Sequence, residues 1–288
     1  MPPPLRKIII CAREYVSDTT DANFNRAIFN SIVTHCCTLG LDVQIRHIRE
    51  SEIFGSTQMP VTTGPDEGII ALARDSVISM LYLFTNPNCR RVMIDTVVAG
   101  IPNVLSDNYN GVRAMLEHLV GLGHRHILFA ARFADGQNFV NENERLEAFI
   151  HLCTAMNIKA EIVTSGDFND IFHILKRTDR PSAVFFSRDD PALKLITELE
   201  ALGIDVPSLL SVTGFDDCAE DTRALKRLTT VRADTARLGI EAVERLFLPL
   251  GPSYRVPLTT RVPVSLVVRA SSGPAAQAVP LIPDRQKK

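Results

Sequence analysis

Short apolar runs alternate along the chain with longer stretches in which apolar residues recur every three or four positions. The short runs are Lys7–Cys11, Leu41–Ile48, Val77–Phe84, Pro102–Leu105, His126–Ala130, Lys159–Val163, Ala183–Ser187 and Ser211–Gly214. Several are apolar throughout, the pattern of strands covered on both faces. The longer stretches predict helices. Phe24–Leu39 carries Phe24, Ala27, Ile28, Ile32 and Val33 and stops at Gly40. Gly111–Leu122 carries Val112, Met115, Leu116 and Leu119 and stops at Gly123, and Pro191–Leu202 stops at Gly203. Glycine in these places suits the left-handed residue that ends a helix.

Strand–helix alternation predicts parallel sheets with helices on both faces. The pattern also repeats, because a helix end followed by a short strand occurs at Leu39-Gly40-Leu41 and again at Met156–Ile162. The expected fold class is α/β, with two similar parallel-sheet lobes. Ligands of open parallel sheets bind outside the carboxyl ends of the strands, so the expected site is a hinged cleft between the lobes. The small, polar, proline-containing stretch after Arg269 reads as a disordered tail.

Composition narrows the function. The 288 residues are 45% hydrophobic and 22% charged, with a net charge of −2. A self-contained nucleic-acid binder carries a basic balance or stripe, and this chain has neither. Arg90-Arg91 and Lys226-Arg227 read as solvated surface. Cys11, Cys36, Cys37, Cys89, Cys153 and Cys218 form no CxxC or Cys/His ligand spacing, so reduced thiols of a cytoplasmic protein are expected. No secretory leader is visible and no apolar run reaches the roughly 18 residues of a membrane span. His124 and His126 span a helix-to-strand turn without a carboxylate cluster, so they and His118 read as structural. With no glycine-rich phosphate loop and no GxSxG elbow, neither catalysis nor a metal or cofactor is expected.

Three stretches carry chemistry. In Ile101–Gly111, Asp107 and Asn108 stand where a strand gives way to a helix. Asp107 either caps the helix or points into the cleft. In Pro181–Leu193 a helix starts at Asp189 or Asp190, with Pro191 in its first turn. Leu210–Asp217 is a strand ending in two acids, followed by Leu228–Arg232 and later by Ser265–Ser272.

Together these segments resemble the effector-binding core of the LacI/GalR family of bacterial transcription regulators, a periplasmic-binding-protein-like type I fold. "DNYNG…EHLVGLGHRHILF", "SAVFFSRDDPAL…LGIDVPSLLSVTGFDD", "LTTVRAD…LGIEAVERL" and "VSLVVRASS" follow in the family's order over about residues 100–272. The resemblance implies lobes at 6–105 plus 232–258 and at 106–231 plus 259–270, with 271–288 as the tail. It implies ligand contacts at Arg145, whose guanidinium fork suits hydroxyls or a carboxylate, at Asp216 as an acceptor, and at Phe168 as a stacking ring. Asp107 is included on its second reading, and Arg13 and Tyr15 lie in the loop after the first strand.

The chain departs from the family pattern in three places. Arg188 stands where the family has Asn, which either adds a cation for an acidic ligand group or pairs with Asp189, Asp190 or Asp216. The segment before Asp107 looks about a dozen residues short, so a family strand is expected to be missing. No helix-turn-helix headpiece precedes the first strand. The resemblance therefore implies the sensing core of a regulator: a homodimer that closes around a sugar, sugar acid or phosphate effector and contacts DNA only through a headpiece not present in this chain. The alternative is a transport-type periplasmic sugar-binding protein of the same fold.

Overall fold

A computed structural model describes residues 4–13, 20–48, 64–72, 90–131, 140–218, 225–248, 257–276 and 281. In chain order the elements are β1 (Lys7–Arg13), α1 (Thr20–Thr38), β2 (Asp42–Ile48), β3 (Glu67–Leu72), β4 (Arg90–Ile94) and β5 (Asn103–Ser106). Then come α2 (Asn108–Gly121), β6 (His126–Ala130), α3 (Val140–Ala155), β7 (Lys159–Val163), α4 (Phe168–Leu175), β8 (Ala183–Phe186) and α5 (Asp189–Ala201). The chain ends with β9 (Ser211–Asp216), β10 (Thr229–Ala233), α6 (Thr235–Arg245), β11 (Thr259–Val262) and β12 (Val264–Val267).

Two compact units result. The first holds Met1–Ser106, Phe139–Asn141 and Asp234–Val262; the second holds Asp107–Asn138, Glu142–Ala233 and Pro263–Lys288. Their six-stranded sheets run β11-β5-β4-β3-β1-β2 and β12-β10-β9-β8-β6-β7. All pairings are parallel except that of β12 with β10.

In the first unit α1 packs on α6. Phe24, Ile28, Ile32 and Cys36 recur every fourth residue, and all are buried. Leu238, Ala242 and Val243 of α6 are likewise buried. Gly239 lets the backbones close, since a Cβ there would lie 2.8 Å from Ser31 Oγ and 2.9 Å from the Ile28 carbonyl. In the second unit, alternate residues of each strand feed opposite faces of the sheet. Leu128, Val184 and Val212 pack with Ile171, Leu175, Leu195 and Leu199 on one side. Ile127, Phe129, Phe185 and Phe215 pack with Met115, Leu116, Phe149 and Leu152 on the other. This two-sided cover explains why the strands read as apolar throughout.

Gly40, Gly123 and Gly203 close their helices with φ of 68°, 92° and 72°. The corresponding turn before β7 uses Asn157, at φ 54°, instead of glycine.

Several expectations need correction. Arg90-Arg91 is not a solvated cluster but the start of β4, which pairs with β3 and β5. β4 precedes Ile101-Pro102 and so lies outside the segment that looked short, in which β5 is the strand described, and residues 95–102 join β4 and β5 without a helix. β3, interrupted in sequence by Gly68, went unpredicted, and the expected strand Val77–Phe84 lies outside the described residues. Residues 259–262 belong to the first unit rather than the second, because β11 hydrogen-bonds β5. The tail is ordered at its start: Ser271 is buried, the Ala275 N–H donates to the Leu122 carbonyl, and Leu281 joins the core. Small side chains there serve close packing rather than disorder.

Candidate functional site

The carboxyl ends of β8 and β9 bring the charged residues of the second unit together. Arg145, on α3, is fully buried. Its Nε donates to Asn108 Oδ1 at 2.8 Å, Nη1 to the Ser187 carbonyl at 2.6 Å and Nη2 to Asp216 Oδ1 at 2.7 Å. Its guanidinium carbon lies 3.6 Å from the centre of the Phe215 ring, a buried cation–π contact. Helix α2 reaches this ring because Gly111 carries no side chain: a Cβ there would meet Phe215 at 2.7 Å.

Asp107 takes the capping reading. Its carboxylate accepts from the Asn110 N–H at 3.2 Å and from Asn110 Nδ2 at 2.6 Å. Its neighbour Asn108, placed by the sequence at the same junction but not among the expected contacts, is buried and also donates to Glu144 Oε2 at 2.8 Å. The two acids of "NENER" flanking Arg145 were the available signal.

β9 ends in strained backbone. Asp216 has φ 104° and Asp217 has φ 54°, conformations that cost non-glycine residues about 1–3 kcal/mol each and gather at functional sites. Asp217 accepts from Arg232 Nε at 2.7 Å and from Arg269 Nη1 at 2.7 Å. Asp189, the first residue of α5, is fully buried. It accepts from Thr230 Oγ1 and from the Asp217 N–H, each at 2.6 Å. Burial, then the neighbouring Asp216 charge, pushes the Asp189 carboxyl well above the usual carboxylate range. Burial and the same acids push up the Cys218 thiol. Gly214 makes room for Asp189, because a Cβ there would lie 2.3 Å from its Oδ1.

Arg188 stands at the N-cap of α5 without a capping hydrogen bond. It lies 3.7 Å from Glu142 Oε1 and 3.4 Å from Asp190 Oδ1. Of the pairings open to it, the structure therefore has Asp190, together with Glu142, which the sequence did not suggest. Phe168 begins α4 after its cap Asp167. Its ring stacks on Phe186 at 6.3 Å, with Lys194 Nζ 4.5 Å from its centre. Arg145, Phe168, Arg188 and Asp216 thus gather around the ends of β7, β8 and β9. Arg13 closes β1, but its side chain and all of Tyr15 lie outside the described residues. Among the described residues no group of three metal-ligating side chains occurs and no helix is long and apolar enough to cross a membrane.

A family model for a periplasmic binding protein-like domain matches residues 116–272. The chain is 30% identical over 218 residues to the lactose operon repressor of Klebsiella pneumoniae, covering 73% of this chain and 60% of that one. It is 24% identical over 267 residues to the HTH-type transcriptional repressor PurR of Actinobacillus pleuropneumoniae, covering 88% and 78%. Its fold is that of a lac repressor dimer solved with operator and the anti-inducer ONPF, with a TM-score of 0.72 at 22% identity, covering 93% of this chain and 94% of that one.

Proposed function

The chain belongs to the periplasmic binding protein-like family, as the effector-binding core of a LacI-type regulator, and on that premise we propose that it binds a small polar effector at the carboxyl ends of β7, β8 and β9. The observation carrying the reading is the buried Arg145–Asp216 pair at the end of β9, where Asp216 and Asp217 are both strained and where open sheets bind ligands. Asp216 is the acceptor for ligand hydroxyls, Phe168 the apolar wall, and Arg145 the group that positions Asp216 from below. Asp107 serves the cap of α2.

The charge balance favours a neutral sugar over a sugar acid or phosphate. Arg145 turns three of its N–H groups to the protein and is paired with Asp216, and Arg188 sits between Glu142 and Asp190. Dimerisation, cytoplasmic location and DNA contact through a separate headpiece complete the proposal; they rest on the relatives being repressors and on the fold neighbour being a dimer on operator.

A thermal-shift screen of sugars, sugar acids, sugar phosphates and purines tests it, since stabilisation follows occupancy. A neutral sugar is expected to raise Tm. Stabilisation by phosphates alone would overturn the charge argument. A monomer by mass measurement at high concentration would overturn the dimer.

A further inference from the structure

The opposite end of the second sheet has a built feature that the effector reading does not use. Residues 271–276 run across the amino ends of its strands. The Ser271 N–H donates to the Arg227 carbonyl, and the Ser271 carbonyl accepts from the Val212 N–H. Its Oγ donates to the Val212 carbonyl and accepts from the Thr229 N–H. The Gly273 N–H donates to Ser211 Oγ, and the Ala275 N–H donates to the Leu122 carbonyl.

Two histidines hold the other side. His124 is fully buried, with Nε2 3.0 Å from the Gly273 carbonyl and Nδ1 2.8 Å from Ser182 Oγ. A carbonyl only accepts, so Nε2 carries the hydrogen; in the neutral ring Nδ1 then accepts from the serine hydroxyl, and in the charged ring it would donate to that oxygen while the hydroxyl turns to the His126 carbonyl 3.5 Å away. His118 Nε2 lies 2.9 Å from Ser272 Oγ, which also meets Thr229 Oγ1.

We infer that residues 271–276 form an acid-released strap, held while His118 and His124 are neutral and freed when both are protonated. Among the described residues no carboxylate pairs with either ring, so a protonated ring would keep its carbonyl and hydroxyl contacts but gain no counter-charge. Arg125 follows His124 directly, Arg180 is buried at the start of β8, and Arg227 precedes β10. The nearby acids are engaged: Glu161 with His126 and Arg177, and Glu200 with Arg227. Burial holds both histidines below their ordinary range. For a base with a depressed folded value, the stability is complete above about pH 6.5 and drains away as pH falls below it.

Hydrogen exchange of the full chain, corrected for intrinsic rates, tests the strap between about pH 7.5 and pH 5. The Ser271, Gly273 and Ala275 amides are expected to lose roughly tenfold or more of their protection, while β6 and β9 keep theirs. The H118Q/H124Q double variant is expected to show no such pH dependence. Unchanged strap protection at acid pH, or the same loss in the double variant, would overturn the inference. If that variant does not fold, ring titration of the parent decides: His118 and His124 titrating at or above the ordinary histidine value would equally overturn it.

Discussion

The two sheets share one strand order, so that β1, β2, β3, β4, β5 and β11 answer to β6, β7, β8, β9, β10 and β12. They also share a backbone feature. β4 is followed by Asp95 at φ 55°, and β9 ends on Asp216 at φ 104° and leads to Asp217 at φ 54°. Both units thus turn through positive φ where this strand ends. What surrounds the turn differs. In the second unit a fully buried arginine anchors the turn through Asp216, and a second acid, Asp217, is clasped by Arg232 and Arg269. The edge strand differs too, β11 running parallel to its neighbour and β12 antiparallel. A common strand order thus places an acid with positive φ after β4 and at the end of β9, and in the second unit that acid is paired with the buried Arg145.

The sharpest way to break this comparison is Arg145→Met. Removing one member of a buried pair leaves the other charged and uncompensated, at about 3–5 kcal/mol. Chemical denaturation would measure it, and a loss under about 1 kcal/mol would show that Arg145 does not anchor the turn. Gly111→Ala comes next. Its Cβ would press on Phe215 at 2.7 Å and on Val231 at 3.0 Å, for about 2 kcal/mol of overpacking. The control in the first unit is Gly68→Ala, whose Cβ would meet the flexible end of Leu246 at 2.9 Å. It is expected to cost about 1 kcal/mol or less by the same measurement. Equal losses would remove the distinction between the units.

A smaller effect depends on pH. Burial works to raise the Glu161 carboxyl, but hydrogen bonds from Arg177 and His126 prevail and lower it. Its stabilisation is thus present above about pH 4.5 and lost as pH falls through the folded value. Glu161→Gln is expected to cost about 1 kcal/mol at neutral pH and progressively less in acid. A pH-independent cost would contradict the pairing. Smallest is the pair of exposed Arg237 with half-buried Glu241 on α6, where Glu241→Gln should shift stability by about 0.3–0.5 kcal/mol.

Much of the scaffold was legible because it is local. Glycine ends three helices, and Asp107 before a helical pattern behaves as a cap. Apolar runs marked β6, β8 and β9 of the second sheet for the reason seen in its core, cover on both faces. β4 was hidden because it opens with two arginines. The strap was hidden because serine, glycine and alanine look alike whether they thread a tight groove or trail in solvent. The residues proposed as contacts came from the resemblance, but their surroundings did not follow from it. That Arg145 is sealed under Asp216 depends on a partner 71 positions away, and that Arg188 meets Glu142 depends on how α3 and α5 pack. Neither follows from local pattern.

The most direct test of the proposed site is a calorimetric titration of the compound that most raises Tm into the parent and into Asp216→Asn. Asparagine keeps the shape and an acceptor for Arg145 but gives up the charge that ligand hydroxyls would meet. Affinity is expected to fall by about tenfold to a hundredfold, the worth of a charge-assisted hydrogen bond. Affinity equal to the parent's, in a variant that remains folded, would contradict the placement of the effector at the end of β9.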